Sequence, residues 1–333
     1  MRIKRGPKIV LIVVVFFLLA GFLWLEPWSW MFGQPKIRIS PETTYLTEPV
    51  RADGTIDYAA ALNAKYGAGV TPENNAAVPL CEASWSEFSR RDAEKQSKLF
   101  AALGMSPPEK DGPRCFNLEE MLDVPKSDVQ SIRDADGEFI VAKLYRSLDE
   151  AEHRPWSAEE FPVIDRWLQA NNAFLAKVEE ASHRTHYWVP YVLEDENGIL
   201  IGTIYRDLKA LGGCRSPLAA RAMRSVGNGE IKQAIHDVLI MDRLSNLLIK
   251  EMDLISELGA INLKKQAYQT AADIATSAQL DHEQMKILQD FASTPLSFPL
   301  AEIMREVERF GCLDAAAALS TGRGEREERS FGL

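Results

Sequence analysis

Histidine and cysteine are scarce in this chain, five and four among 333 residues. The cysteines, Cys81, Cys115, Cys214 and Cys312, never fall in C-x-x-C spacing, which excludes zinc-ribbon and thioredoxin-type sites. No G-x-S-x-G elbow, Walker A loop or G-x-G-x-x-G fingerprint occurs. Gly227-Asn228-Gly229 lacks the third glycine and joins two helical patterns. Positive charge is in deficit, 38 Lys and Arg against 48 Asp and Glu. Phosphate backbones repel such a surface, so nucleic acid is not an expected partner. No 34-residue recurrence marks a repeat array. The hydrophobic content of 46% and charged content of 26% are those of a folded chain, not a disordered one.

What is present in abundance sits at the start. Ile9 to Leu25 reads IVLIVVVFFLLAGFLWL, 17 residues without a polar side chain. As a helix it spans roughly 25 Å, against a hydrocarbon core of ~30 Å. Lys8 can snorkel to the headgroups, and Trp24, Trp28 and Trp30 suit an interfacial aromatic belt. Arg2, Lys4, Arg5 and Lys8 precede the run, and the first charge after it is Glu26. That asymmetry places the N-terminus in the cytoplasm and the remainder outside. The expected organisation is a basic cytoplasmic flank at 1–8 and a transmembrane anchor at 9–30. An exported α+β region at 31–150, a helical region at 151–320 and a mobile tail at 321–333 follow. A cleaved signal peptide is the competing reading, but Leu23-Trp24-Leu25-Glu26 offers no A-x-A-like site. A buried helix of a soluble protein is the third. Beyond the anchor, 34 basic residues face 48 acidic ones. In an exported chain disulfides are expected, with Cys81–Cys115 and Cys214–Cys312 paired within each half; four buried thiols are the alternative.

Periodicity sets the fold class: mainly α, as helical hairpins or a bundle, with a few short strands. Strands are expected at Lys36–Ile39, Thr43–Thr47 and Glu138–Tyr145, and a hairpin over Tyr187–Ile204 about the turn Glu194–Gly198. Asp57 opens a short helix carrying Tyr58, Leu62 and Tyr66, ended by Gly67 and Gly69. Thr71 and Pro72 are a helix start, with a bend expected at Pro79. Ser89–Leu103 reads as a helix, Asn117 and Glu120 as a capping box, and Ser157-Ala158-Glu159-Glu160 as another, opening one helix through Val178. Further helices are expected over Asp207–Val226, Glu230–Ser256, Leu258–Ala278, His282–Phe291 and Pro299–Phe310. Arg323–Arg329 is a mixed-charge tail.

Candidate chemistry is thin. His183 and His186 could share a helix face, but no third metal ligand accompanies them. His282-Glu283-Gln284-Met285-Lys286 puts a lysine where a zincin has its second histidine. Asp134-Ala135-Asp136-Gly137 has Lys143 where a calcium loop needs glutamate. His236 lies on an apolar-rich helix without a nucleophile motif. Tyr187-Trp188-Val189-Pro190-Tyr191 either lines a ligand groove or seals the junction of the two halves; sealing is favoured. No residue is assigned as catalytic, cofactor-binding or metal-ligating.

Tyr45-Leu46-Thr47, Asp57–Asn63, Thr71–Val78 and Trp156–Pro162 with Trp167-Leu168 resemble segments of membrane-anchored or secreted planctomycete proteins that have no assigned activity. The resemblance implies a bacterial envelope setting and no mechanism. Ala220–Leu244, with Gly229 and Ala234, is similar to one helix–turn–helix unit of tetratricopeptide repeats, though one unit makes no array. The expected function is a single-pass, signal-anchored protein of the inner membrane. It is held by the lipid bilayer through 9–30, and its exported helices bind or scaffold an envelope protein. The alternative is an envelope hydrolase with a site between the halves, near His183, His186 and Tyr187–Tyr191.

Overall fold

The computed structural model describes residues 38–88, 93–109, 112–122, 124, 131–193, 198–204, 209–251, 253–295, 297–321 and 323. The expected flank and anchor at 1–30 lie outside them, as do residues 324–333 of the tail. Among the described residues no helix is long and apolar enough to cross a membrane.

The chain runs through helices α1 (Tyr58–Tyr66), α2 (Ala77–Phe88), α3 (Ala93–Leu103), α4 (Ile140–His153), α5 (Pro162–Ala170), α6 (Asn172–Ser182), α7 (Ile201–Ile204), α8 (Lys209–Gly227), α9 (Ile231–Leu248), α10 (Leu254–Ser277) and α11 (His282–Ser293). Then α12 (Leu300–Ile303) passes through a π-turn, Met304–Glu308, directly into α13 (Arg309–Thr321). The fold is mainly α. No sheet forms among the described residues, only isolated bridges such as Val50 with Ile56 and Arg133 with Phe139.

Small side chains decide what lies at the centre. Cys214, Leu218, Ala219, Ala220, Ala222 and Met223 of α8 are fully buried, and α4, α9 and α10 pack around that helix. The main core joins these to α2, α5, α6 and α11. A second, smaller core brings the two ends of the described chain together. Tyr58 and Leu62 of α1 meet Ile303, Val307 and Phe310, with Trp188, Tyr191 and Leu200 filling the space between. The Tyr58 and Phe310 rings stack with centroids 5.0 Å apart. Packing thus crosses residue 150 in both directions, α4 onto α8 and α1 onto α13.

Several strand expectations are corrected. Glu138–Tyr145 is not a strand: Ile140 begins α4, whose Leu144, Leu148 and Ala151 form one buried stripe. Over eight residues that segment reads as a short β-branched and aromatic run; over fourteen the helical period wins. Thr43–Thr47 is a turn region in which the Thr44 hydroxyl donates to the carbonyls of Ser40 and Leu46. Arg38 and Ile39 are coil, and the residues before them lie outside the described set. No hairpin forms among the described residues of 187–204. Residues 187–193 run as an extended strap, 194–197 fall outside the described residues, and Ile201–Ile204 is helical.

Helix ends show local chemistry. Asp57 caps α1 by accepting from Ala60 N at 3.0 Å. Asp281 and Gln284 form a reciprocal capping box on α11, and Asn117 with Glu120 does the same on a 3-10 turn, Leu118–Met121. Thr71 and Pro72 do not start α2; the helix begins at Ala77, whose N–H reaches Asn75 Oδ1 at 3.1 Å. Pro79 therefore sits in the first turn, where no intrahelical donor is lost. Ser157–Glu160 is a turn and not a capping box, since Glu160 pairs with Arg154 at 2.5 Å and α5 opens at Pro162. The single helix expected through Val178 breaks at Asn171. That buried amide accepts from Phe116 N at 2.9 Å and donates to Trp167 O at 2.9 Å, fastening the 114–117 strap to the helix junction.

Candidate functional site

Asparagine amides build the seam where a ligand groove was one of two expectations. Asn75 accepts from Trp188 N at 3.0 Å and donates to Trp188 O at 2.8 Å. Asn63 does the same for Tyr191, at 2.8 and 2.9 Å. Each amide copies a backbone partner, so the strap is held by four bonds without a strand beside it. Between the brackets Trp188 packs edge-on against Tyr191, ring centroids 5.3 Å apart, and tilts against Tyr66 at 5.9 Å. Tyr187, Trp188 and Tyr191 are all buried. The strap seals.

The histidines are not gathered. His183 caps the end of α6 and His186 follows the turn; both are exposed. His186 Nδ1 is 2.9 Å from the neighbouring Thr185 hydroxyl. His236 reaches from α9 to Glu179 of α6 at 2.8 Å, and His153 from α4 to Asp273 of α10 at 2.9 Å. Both pairs tie helices together. His282 is the exposed first residue of α11. Among the described residues no group of three or more His, Cys, Asp or Glu is placed to hold a metal. The Asp134 turn shows what occupies the calcium-like position: Lys143 Nζ donates to Asp134 Oδ2 at 2.9 Å, and that bond holds the carboxyl below its ordinary range.

No disulfide forms. Neither expected intra-half pair is closed as a disulfide. Cys115 Sγ instead lies over Gly213, beside Cys214, and a Cβ on that glycine would stand 3.0 Å from the sulfur. Burial pushes the Cys214 thiol up to about 12, so it is inert as a nucleophile at neutral pH.

Three carboxylates meet where α10 starts. Asp253 caps the helix through Ile255 N and Ser256 N at 2.9 and 2.8 Å. Glu308 Oε1 accepts from Leu254 N at 3.1 Å. Glu257, one turn on, is 4% exposed and its Oε1 has no hydrogen-bond partner among the described residues. Burial raises the Asp253 and Glu257 carboxyls, and Asp253 raises Glu257 further. A raised carboxyl favours folding below its unfolded value of 4.5 and withdraws that support as pH climbs through its folded value. Glu257→Gln is therefore expected to leave stability unchanged below about pH 4 and to raise it by on the order of 1 kcal/mol at pH 8. Urea titrations at both pH values check this; equal midpoints at pH 8 would refute it.

On the outer side of α10 lies a groove of ≈ 570 Å³, lined by Ile261, Lys264, Lys265, Tyr268 and Phe298 among others. The Lys264 ammonium donates to Asp242 and sits 4.9 Å from the Phe291 ring centre, so it is already engaged. Ile261 and Phe298 in the groove, Leu258 one turn before Ile261, and Leu300 and Met304 just after Phe298 in the chain are between 40% and 51% exposed. Sequence reasoning missed this patch because each residue, taken alone, fits a helical core stripe. It missed Asn63 and Asn75 because their partners are backbone atoms more than a hundred residues away.

Comparison with family models, curated proteins and solved structures finds no match for this chain.

Proposed function

We propose that this is a single-pass, membrane-anchored protein of the bacterial envelope, with its N-terminus in the cytoplasm and its helical region outside. That region acts as a binding or scaffolding module. The observation that carries the reading is the apolar run Ile9–Leu25, with four basic residues before it and tryptophans at its exit. The resemblance to membrane-anchored planctomycete proteins supports the same setting. The described region supports a module more than an enzyme. The cavity beside α10 is an open surface groove, and His153 and His236 each bridge one pair of helices. The hydrolase alternative draws no support from its own residues: the Tyr187–Tyr191 strap is closed by Asn63 and Asn75, and His183 and His186 face solvent.

Topology is tested by protease on spheroplasts of cells making the full chain with a C-terminal tag. The expected result is complete loss of the tag without lysis. A tag protected until lysis overturns the reading.

A further inference from the structure

The apolar patch and the point where the chain enters the described fold lie at the same end of the molecule. Leu300 and Met304 are four residues apart and share a helical face. The π-turn Met304–Glu308 widens the next turn, where hydrogen bonds run i to i+5, so Met304 and Arg309 continue one stripe. Over Arg309 lies the ring of Tyr45, 4.2 Å from the guanidinium carbon and 50% exposed. Ile39 and Leu46 pack on the second core, to which Ile303, Val307 and Phe310 also belong. The other half of the patch is fastened to it: Leu254 N bonds Glu308, and Leu258 and Ile261 follow on the outer face of α10, with Phe298 across the groove.

Residues 26–37 are all that separate the apolar run from Arg38. These twelve residues reach about 40 Å at most when fully drawn out. A bilayer holding the run would therefore stand within about 40 Å of Arg38 at all times. Tethering of this kind presents the surface at an effective concentration of about millimolar, so a contact too weak to recruit a free protein becomes occupied.

We infer that this patch, centred on Leu300, Met304, Phe298, Leu258 and Ile261, lies on the lipid surface and inserts its side chains at the headgroup–acyl boundary. The inference rests on the anchored reading above. Lipid is the occupant because the exposed surface is predominantly apolar and the short tether holds a bilayer near it; the exposed Glu302 and Arg305, beside Leu300 and Met304 in the chain, carry opposite charges, and Lys265 borders the groove. Glu306 is taken by Lys65 and Tyr66, and Glu308 by Leu254 N. With 34 basic residues against 48 acidic ones beyond the run, attraction to anionic headgroups is not the driving force. Apolar insertion is, so the contact forms on zwitterionic lipid and tolerates salt.

The test uses the full chain in phosphatidylcholine vesicles, with a tryptophan placed by Met304→Trp or, as control, Leu319→Trp. Leu319 is 79% exposed and lies fifteen residues further along, about 22 Å away. Both positions are solvent-facing, so neither variant disturbs the core, and the native tryptophans give the same background in both. Vesicles with brominated acyl chains are expected to quench the added emission at 304 at least threefold more than at 319. If the chain floats with the vesicles but 304 and 319 respond alike, the patch faces something else and this inference fails while the anchor stands. If 304 is shielded from both bromine and aqueous quencher, a second copy or the chain's own segment covers it, which also overturns the inference. If the chain does not float at all, the anchored reading fails first.

Discussion

Gly227→Ala is expected to remove at least ~3 kcal/mol of stability, enough to leave much of the chain unfolded where total stability is about 5–15 kcal/mol. Gly227 ends α8, and a Cβ there would stand 2.2 Å from the carbonyl oxygen of Trp156 and 2.9 Å from its nitrogen. These are backbone atoms, so no rotamer change relieves the clash. Trp156 cannot retreat either. Its indole donates to Ala220 O at 3.1 Å, it is 2% exposed, and its ring meets Phe161 edge-on. The bulge would have to part α8 from the 154–161 turn, opening the main core along a helix whose Leu218, Ala222 and Met223 are fully buried. Gly229→Ala is the control from the same turn. Its φ of +78° imposes left-handed strain, but nothing lies within 4 Å of the new methyl group. That variant is expected to cost only about 1–2 kcal/mol. Urea unfolding followed by far-UV circular dichroism ranks the two. Equal costs would mean that backbone conformation, and not the close approach to Trp156, makes glycine necessary at 227.

The contrast bears on what could be read from the residues alone. Caps at Asp57, Asn117 and Asp281 were legible because donor and acceptor lie within three residues of each other. The stop at Gly227-Asn228-Gly229 was legible too, as was the helical class, because long stripes such as Ile231, Ile235 and Val238 repeat. The break at Asn171 was not. It depends on Phe116, fifty-five positions away, offering both a donor and an acceptor to one buried amide. The segment at 138–145 was ambiguous in a short window and resolved only by Leu148 and Ala151 beyond it. For the candidate surface the obstacle is different. Exposure belongs to the assembled fold: Leu258 and Leu263 look alike in a helical stripe, yet one is 49% exposed and the other 3%.

Arg323 was misread for the same reason, and it leads to the second large effect. Within a mixed-charge stretch it suggests a mobile tail, but it is buried, and its Nη2 donates to Asp314 Oδ1 at 2.7 Å. Asp314 is fully buried as well. Its Oδ2 accepts from Leu200 N at 2.7 Å, and Arg51 approaches Oδ1 at 3.5 Å while donating to Gly198 O at 3.3 Å. One carboxylate therefore joins the segment before α1, the entry to α7 and the end of α13. Asp314→Ala would strand two nearly buried guanidinium groups. Their remaining acidic neighbours are Asp57, 3.5 Å from Arg51, and Asp53, 3.8 Å from Arg323. Breaking a buried pair from one side costs about 3–5 kcal/mol, and salt screens little of it. Asp314→Asn keeps an acceptor for Leu200 N and is expected to cost roughly half as much. The loss should be local first. The second core would open while the main core around α8 holds, because Asp314 makes its recorded bonds only within the smaller one. Hydrogen exchange should thus quicken in α1 and α13 before α8 and α9. The patch at Leu300 and Met304 would then lose its fixed orientation toward residues 38–45, so the same variant should reduce bromolipid quenching of a tryptophan at 304. Uniform loss of protection across both cores would show instead that they unfold as one unit, and that Asp314 stabilises the whole fold.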